Sequence, residues 1–165
     1  MHDPSSAFWD FSLQFYGRPG VASACLELQD SAGADINVVL YLFYLAAQSR
    51  RLDEDAIAAL DAATVQWRDR VVRPLRMARR HLKSCPAPFA GDGSAELRNA
   101  IKRDELAAER IEHTAIERLC PPRNAATAAS PEAAIRCSLD VYSRRIAALP
   151  AAARETLISL FLKQL

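Results

Sequence analysis

The apolar positions of this chain recur mainly at three- and four-residue steps, the period of α-helices packed through one face. Phe8, Phe11, Ser12, Phe15 and Tyr16 make a first short helix, with Gly17 where a C-terminal cap belongs. Pro19 suits the first position of a second helix, whose stripe is Val21, Ala24, Cys25 and Leu28 and whose end lies near Gly33. Asp35 then caps a third helix, Ile36 to Ala47, that is apolar on every side. A helix of that kind is central and covered all round by others. Asp53 opens a fourth helix carrying Ile57, Leu60, Ala63, Thr64 and Trp67 on its inner face. Pro74 is expected to kink or break it, because proline removes a backbone donor and crowds the preceding turn.

Proline and glycine mark a loop at 84–94, and Pro121-Pro122 with small residues mark a second at 120–130. Between the loops a fifth helix is expected from about Ala95 to Leu119. Pro131 opens a sixth helix to about Leu149, and after Pro150 a last amphipathic helix ends in Leu157, Ile158, Phe161, Leu162 and Leu165. No run alternates as a half-buried strand does. The expected fold is therefore all-α: residues 1–165 as a single domain, a bundle of about six to seven helices around the buried Ile36–Ala47 helix.

Composition narrows the class. Of 165 residues, 50% are hydrophobic and 25% charged, and a formal net charge of +1 gives no bulk attraction to nucleic acid. The longest apolar run, Val38 to Ala47, is too short to span a bilayer, and the first residues, with Asp3 and Asp10, do not read as a secretory signal. A cytoplasmic protein without membrane association is expected. Cys25, Cys85, Cys120 and Cys137 are widely spaced, form no CxxC pair, and read as thiols without a metal or redox role.

Two stretches are similar to a family of small bacterial proteins of unknown function, DUF2390. The first is FWDFSLQFY–GRPGVASACLELQD–ADINVVLYLFYLA; the second is Val71-Val72-Arg73-Pro74-Leu75-Arg76, continued by Arg79-Arg80-His81-Leu82-Lys83. Glu105-Leu106-Ala107-Ala108-Glu109-Arg110 is a weaker third match. The resemblance implies no activity and supplies no catalytic residues.

The sharpest chemical feature is the basic run. On a wheel of 100° per residue, Arg68, Arg73, Arg76, Arg79, Arg80 and Lys83 share one face, opposed by Trp67, Val71, Leu75, Ala78 and Leu82. Guanidinium forks so clustered suit carboxylates or phosphates of a partner. No aromatic residue interleaves with them, which argues against nucleic acid. The alternative is internal pairing. Leu97, Ile101, Asp104, Ala108, Ile111 and Ala115 form an apparent packing seam on the fifth helix, and Asp104 or the adjacent Glu105 is the expected partner of Arg73 or Arg76. Glu105, Glu109 and His113 share a face, yet lack the Glu-x-x-His spacing of carboxylate metal helices, so no metal is expected.

A second candidate surrounds the entry to the central helix. Tyr16, Asp30, Asn37, Tyr41 and Tyr44 would line a mostly apolar pocket with few polar points. No nucleophile elbow, P-loop, HExxH or paired zinc motif occurs. The expected role is a non-enzymatic interaction or adaptor module without cofactor, with a protein partner or self-association through the last helix. The alternative is a binder of a small apolar or anionic ligand between helices.

Overall fold

The computed structural model describes residues 6–165. Its helices are α1 (Ala7–Tyr16), α2 (Val21–Ala32), α3 (Ile36–Ala47), α4 (Glu54–Trp67), α5 (Arg73–His81), α6 (Asp92–Leu119), α7 (Pro131–Arg145) and α8 (Ala151–Leu162). A π-helical turn, Arg68–Val72, joins α4 to α5. The all-α reading holds. The one addition is a two-stranded antiparallel ribbon, β1 (Arg50–Arg51) with β2 (Ala126–Thr127), pairing Arg50 with Thr127.

Local chemistry sets the boundaries. Ser6 Oγ accepts from Trp9 N–H at the start of α1, and Gly17 closes that helix. Pro19 lies outside α2, whose N-cap is Gly20 at φ 89°, a left-handed geometry that glycine adopts without strain. Asp35 caps α3 by accepting from Asn37 and Val38 N–H, and Asp53 caps α4 by accepting from Ala56 N–H at 2.8 Å. At the other end, α6 begins three residues earlier than Ala95, and α7 stops at Arg145 rather than near Leu149.

The chain forms two compact units. One runs from the described N-terminal residues to Ala62 and resumes at His113–Leu165; the other is Ala63–Glu112. In the first, α3 packs against α1, α2, α7 and β1, and α8 packs against α2 and α7. Its core is aromatic: Phe43 lies 5.1 Å from Phe15 and 5.2 Å from Phe161, and Phe8 meets Tyr41 edge-on at 4.8 Å. Ala153, Leu157, Ile158 and Phe161 of α8 are buried in this core, whereas Leu165 beyond the helix is 62% exposed.

The second unit comprises the end of α4, the π turn, α5, the following loop and α6 up to Glu112. It contributes no residue to the aromatic core, and its buried apolar side chains among the described residues are Val72 and Ala108. Charge divides along the same line. Residues 63–112 hold eleven Arg and Lys against seven Asp and Glu, whereas the rest of the chain holds ten against thirteen. The near-neutral total therefore hides a basic unit and an acidic one.

Candidate functional site

Pro74 has no N–H to offer Arg70, so a regular α-turn would leave that carbonyl without its bond. The chain meets this with an extra residue in the preceding turn: Arg73 N–H bonds Arg68 C=O, five residues back. The helical path thus continues through Pro74, which sits in the first turn of α5, where proline is tolerated. The expected break is instead a π turn, and it rotates the side chains that follow.

Two arginines of the basic face, Arg76 and Arg79, turn toward α6. Arg76 Nε lies 2.9 Å from Glu105 Oε1, and its second nitrogen lies 2.8 Å from Glu109 Oε1. Arg79 Nε also bonds Glu105, so one buried carboxylate on α6 collects two guanidinium groups. Charge-assisted bonds of this kind are short and directional. Trp67 Nε1–H donates to Ala108 C=O at 3.1 Å, fixing the end of α4 to the same stretch of α6. Burial pushes the Glu109 carboxyl above its usual range, against the pull of Arg76. Arg68 and Arg73 flank Asp69, at 3.3 and 2.8 Å. Arg80 and Lys83 are exposed.

These pairs correct the reading of α6. The buried face runs through Glu105, Ala108, Glu112 and Ile116, whereas Asp104 is exposed and Leu97 and Ile111 are 51% and 56% exposed. Of the apparent seam Ala108 is buried and Ile101 and Ala115 are half-buried, while its other members are exposed. The expected pairing of Arg76 with Glu105 forms, and Arg79 and Glu109 join it. Apolar side chains correspondingly point outward.

The second group of candidates does not come together as one lining. Tyr41 is fully buried, stacks among Phe8 and Tyr44, and donates its hydroxyl to Cys120 C=O. Burial raises its phenol above the ordinary range. Tyr44 is half-buried and packs on Phe11. Asn37 is buried in the first turn of α3, beside Asp35, whose own N–H donates to Tyr142 Oη at 2.9 Å. Tyr16 and Asp30 lie on the exposed sides of α1 and α2, with Asp30 accepting from Gln29.

A pair missing from the sequence reading lies beneath α1. His113 Nε2 is 3.1 Å from Ser12 Oγ, and the imidazole stacks on Phe8 at 4.3 Å and meets Trp9 edge-on. Both residues are buried, so the pair acts as a satisfied polar contact inside an aromatic cage. Its signal was Ser12 on the otherwise apolar face of α1. His2 lies outside the described residues.

Among the described residues, no group of three His, Cys, Asp or Glu side chains gathers as metal ligands, and no helix is long and apolar enough to cross a membrane. Cys25 is buried, and burial pushes its thiol up to about 12, which removes thiolate chemistry there. Cys137 Sγ is 3.7 Å from an Arg51 guanidinium nitrogen. A family model described as a protein of unknown function (DUF2390) matches residues 7–116, covering α1 to most of α6. No curated protein and no solved structure matches the chain.

Proposed function

We propose that this chain, which belongs to the DUF2390 family, is a non-enzymatic cytoplasmic module that binds another protein through α6. The observation that carries the reading is the outward heptad-spaced line Leu97, Asp104, Ile111, with Ala100 and Ala107 at the intervening steps. Two large apolar residues of that line are more than half exposed on a helix whose other face is closed by ion pairs. A line of this spacing suits a partner helix, and the alanines permit a close approach. Leu106, exposed on another side of α6, widens the apolar area.

The small-ligand alternative draws less support. It relied on the tyrosines and on the arginine face, and Tyr41, Arg76 and Arg79 direct their polar groups at Cys120, Glu105 and Glu109. Affinity capture from native extract, comparing the wild-type chain with a Leu97→Glu, Ile111→Glu variant, tests the proposal. A protein retained by the wild type and lost by the variant supports it. Identical sets of retained proteins, or a retained small molecule with no protein, would overturn it.

A further inference from the structure

A separate surface lies on α5 and the loop that follows it. Arg76 and Arg79 face α6, and Pro74, Met77, Ala78 and His81 are exposed at the i, i+3, i+4, i+7 spacing of one helix face. The chain then enters Cys85-Pro86-Ala87-Pro88-Phe89-Ala90-Gly91, a loop with no charged side chain. Pro86 to Gly91 are all exposed. Met77 and Phe89 are 71% and 74% exposed, the two most exposed of the large apolar side chains described. From Arg70 to Gly91 there is no acidic residue, while Arg70, Arg80, His81 and Lys83 are exposed within that stretch.

We infer that this edge docks reversibly on an anionic lipid surface, with Phe89 and Met77 inserting at the headgroup boundary and the cations facing lipid phosphates and carboxylates. Three features favour lipid over a protein partner. At more than 70% exposed, Met77 and Phe89 protrude, whereas protein hot spots sit in well-packed pockets. The loop offers apolar contact almost without side-chain hydrogen-bonding groups, which suits a fluid interface that requires no register. Between Asp69 and Asp92, which bound the stretch, the exposed charges are all positive, the sign that a negatively charged leaflet attracts. No helix of the described residues crosses a bilayer, so the attachment is peripheral.

Cosedimentation of the full chain with vesicles is the test, using pure phosphatidylcholine against a 7:3 mixture with phosphatidylserine at low salt. The partition coefficient should be about tenfold higher on the anionic vesicles and fall back as salt is raised, since screening shortens the reach of the rim. Phe89→Ser should lower it several-fold, and Arg80→Glu with Lys83→Glu should abolish the preference for phosphatidylserine. Unchanged circular dichroism and melting temperature of these surface variants would separate lost binding from lost folding. Equal partition on both vesicles, or none on either, overturns the inference. An undiminished partition of a folded Phe89→Ser variant does the same.

Discussion

The two units of this chain reach a folded state by opposite placements of similar residues. In the unit built on α3, aromatic and aliphatic side chains point inward, and polar groups serve as caps or as satisfied contacts such as Ser12 with His113. In the Ala63–Glu112 unit, guanidinium and carboxylate groups meet on the inner face, and Met77, Phe89, Leu97, Leu106 and Ile111 are outside. The first arrangement is what the hydrophobic effect alone would select. The second gives up apolar burial for paired charge, whose net worth is small because desolvation offsets attraction. A segment that forgoes cheap stability in this way leaves its apolar residues available to something else.

The largest expected effect lies in the aromatic unit. Phe161→Ala removes a fully buried ring between Phe15 and Phe43 and should cost about 4 kcal/mol in urea denaturation. Next comes Glu105→Gln, which leaves Arg76 and Arg79 facing a neutral amide; about 3 kcal/mol should be lost locally. Hydrogen exchange should then quicken in α5 and the first half of α6 while α3 stays protected. Equal loss of protection in α3 would break the contrast. Tyr142→Phe, which deprives the buried Asp35 N–H of its acceptor, should cost about 1–2 kcal/mol.

Glu109 gives a smaller and pH-dependent effect. Its folded pKa is raised by burial, so the folded state favours the protonated carboxyl. Its contribution to stability is fully present below its unfolded value near 4.5 and is lost as pH rises through the raised folded value. Thermal melts should therefore show wild type gaining on Glu109→Gln as pH falls from 7 toward 4. The smallest effect belongs to the outward apolar residues. Met77→Ser and Ile111→Ser should change stability by no more than about 0.5 kcal/mol, because neither side chain is buried on folding.

The same contrast separates what could be read from the sequence from what could not. Gly33, Asp35 and the uniformly apolar Ile36–Ala47 run placed the end of α2 and both ends of α3 as observed, since capping chemistry and burial agree there. On α6 the periodicity was visible but its phase was not. The rule that apolar residues point inward selected Leu97, Ile101, Asp104, Ala108, Ile111 and Ala115, of which Ala108 alone is buried, whereas Glu105 and its guanidinium partners hold the inner face. The Arg76–Glu105 pairing itself was legible as charge complementarity between two helices, but the phase it imposes on α6 was not, since paired charges carry no hydrophobic period. The π turn was equally hidden, because Pro74 announces a disturbance without saying whether the helix bends, ends or takes an extra residue. The β1–β2 ribbon joins two dipeptides far apart in the chain, too short to carry an alternation.

Glu105 holds Arg76 and Arg79 of α5 against α6. A double-mutant cycle of Arg76→Met and Glu105→Met, read by urea denaturation, measures that pairing directly. A coupling energy of about 2 kcal/mol is expected for a pair this buried. A coupling below about 0.5 kcal/mol, the range of solvent-exposed pairs, would contradict the account and return the arginines to the surface.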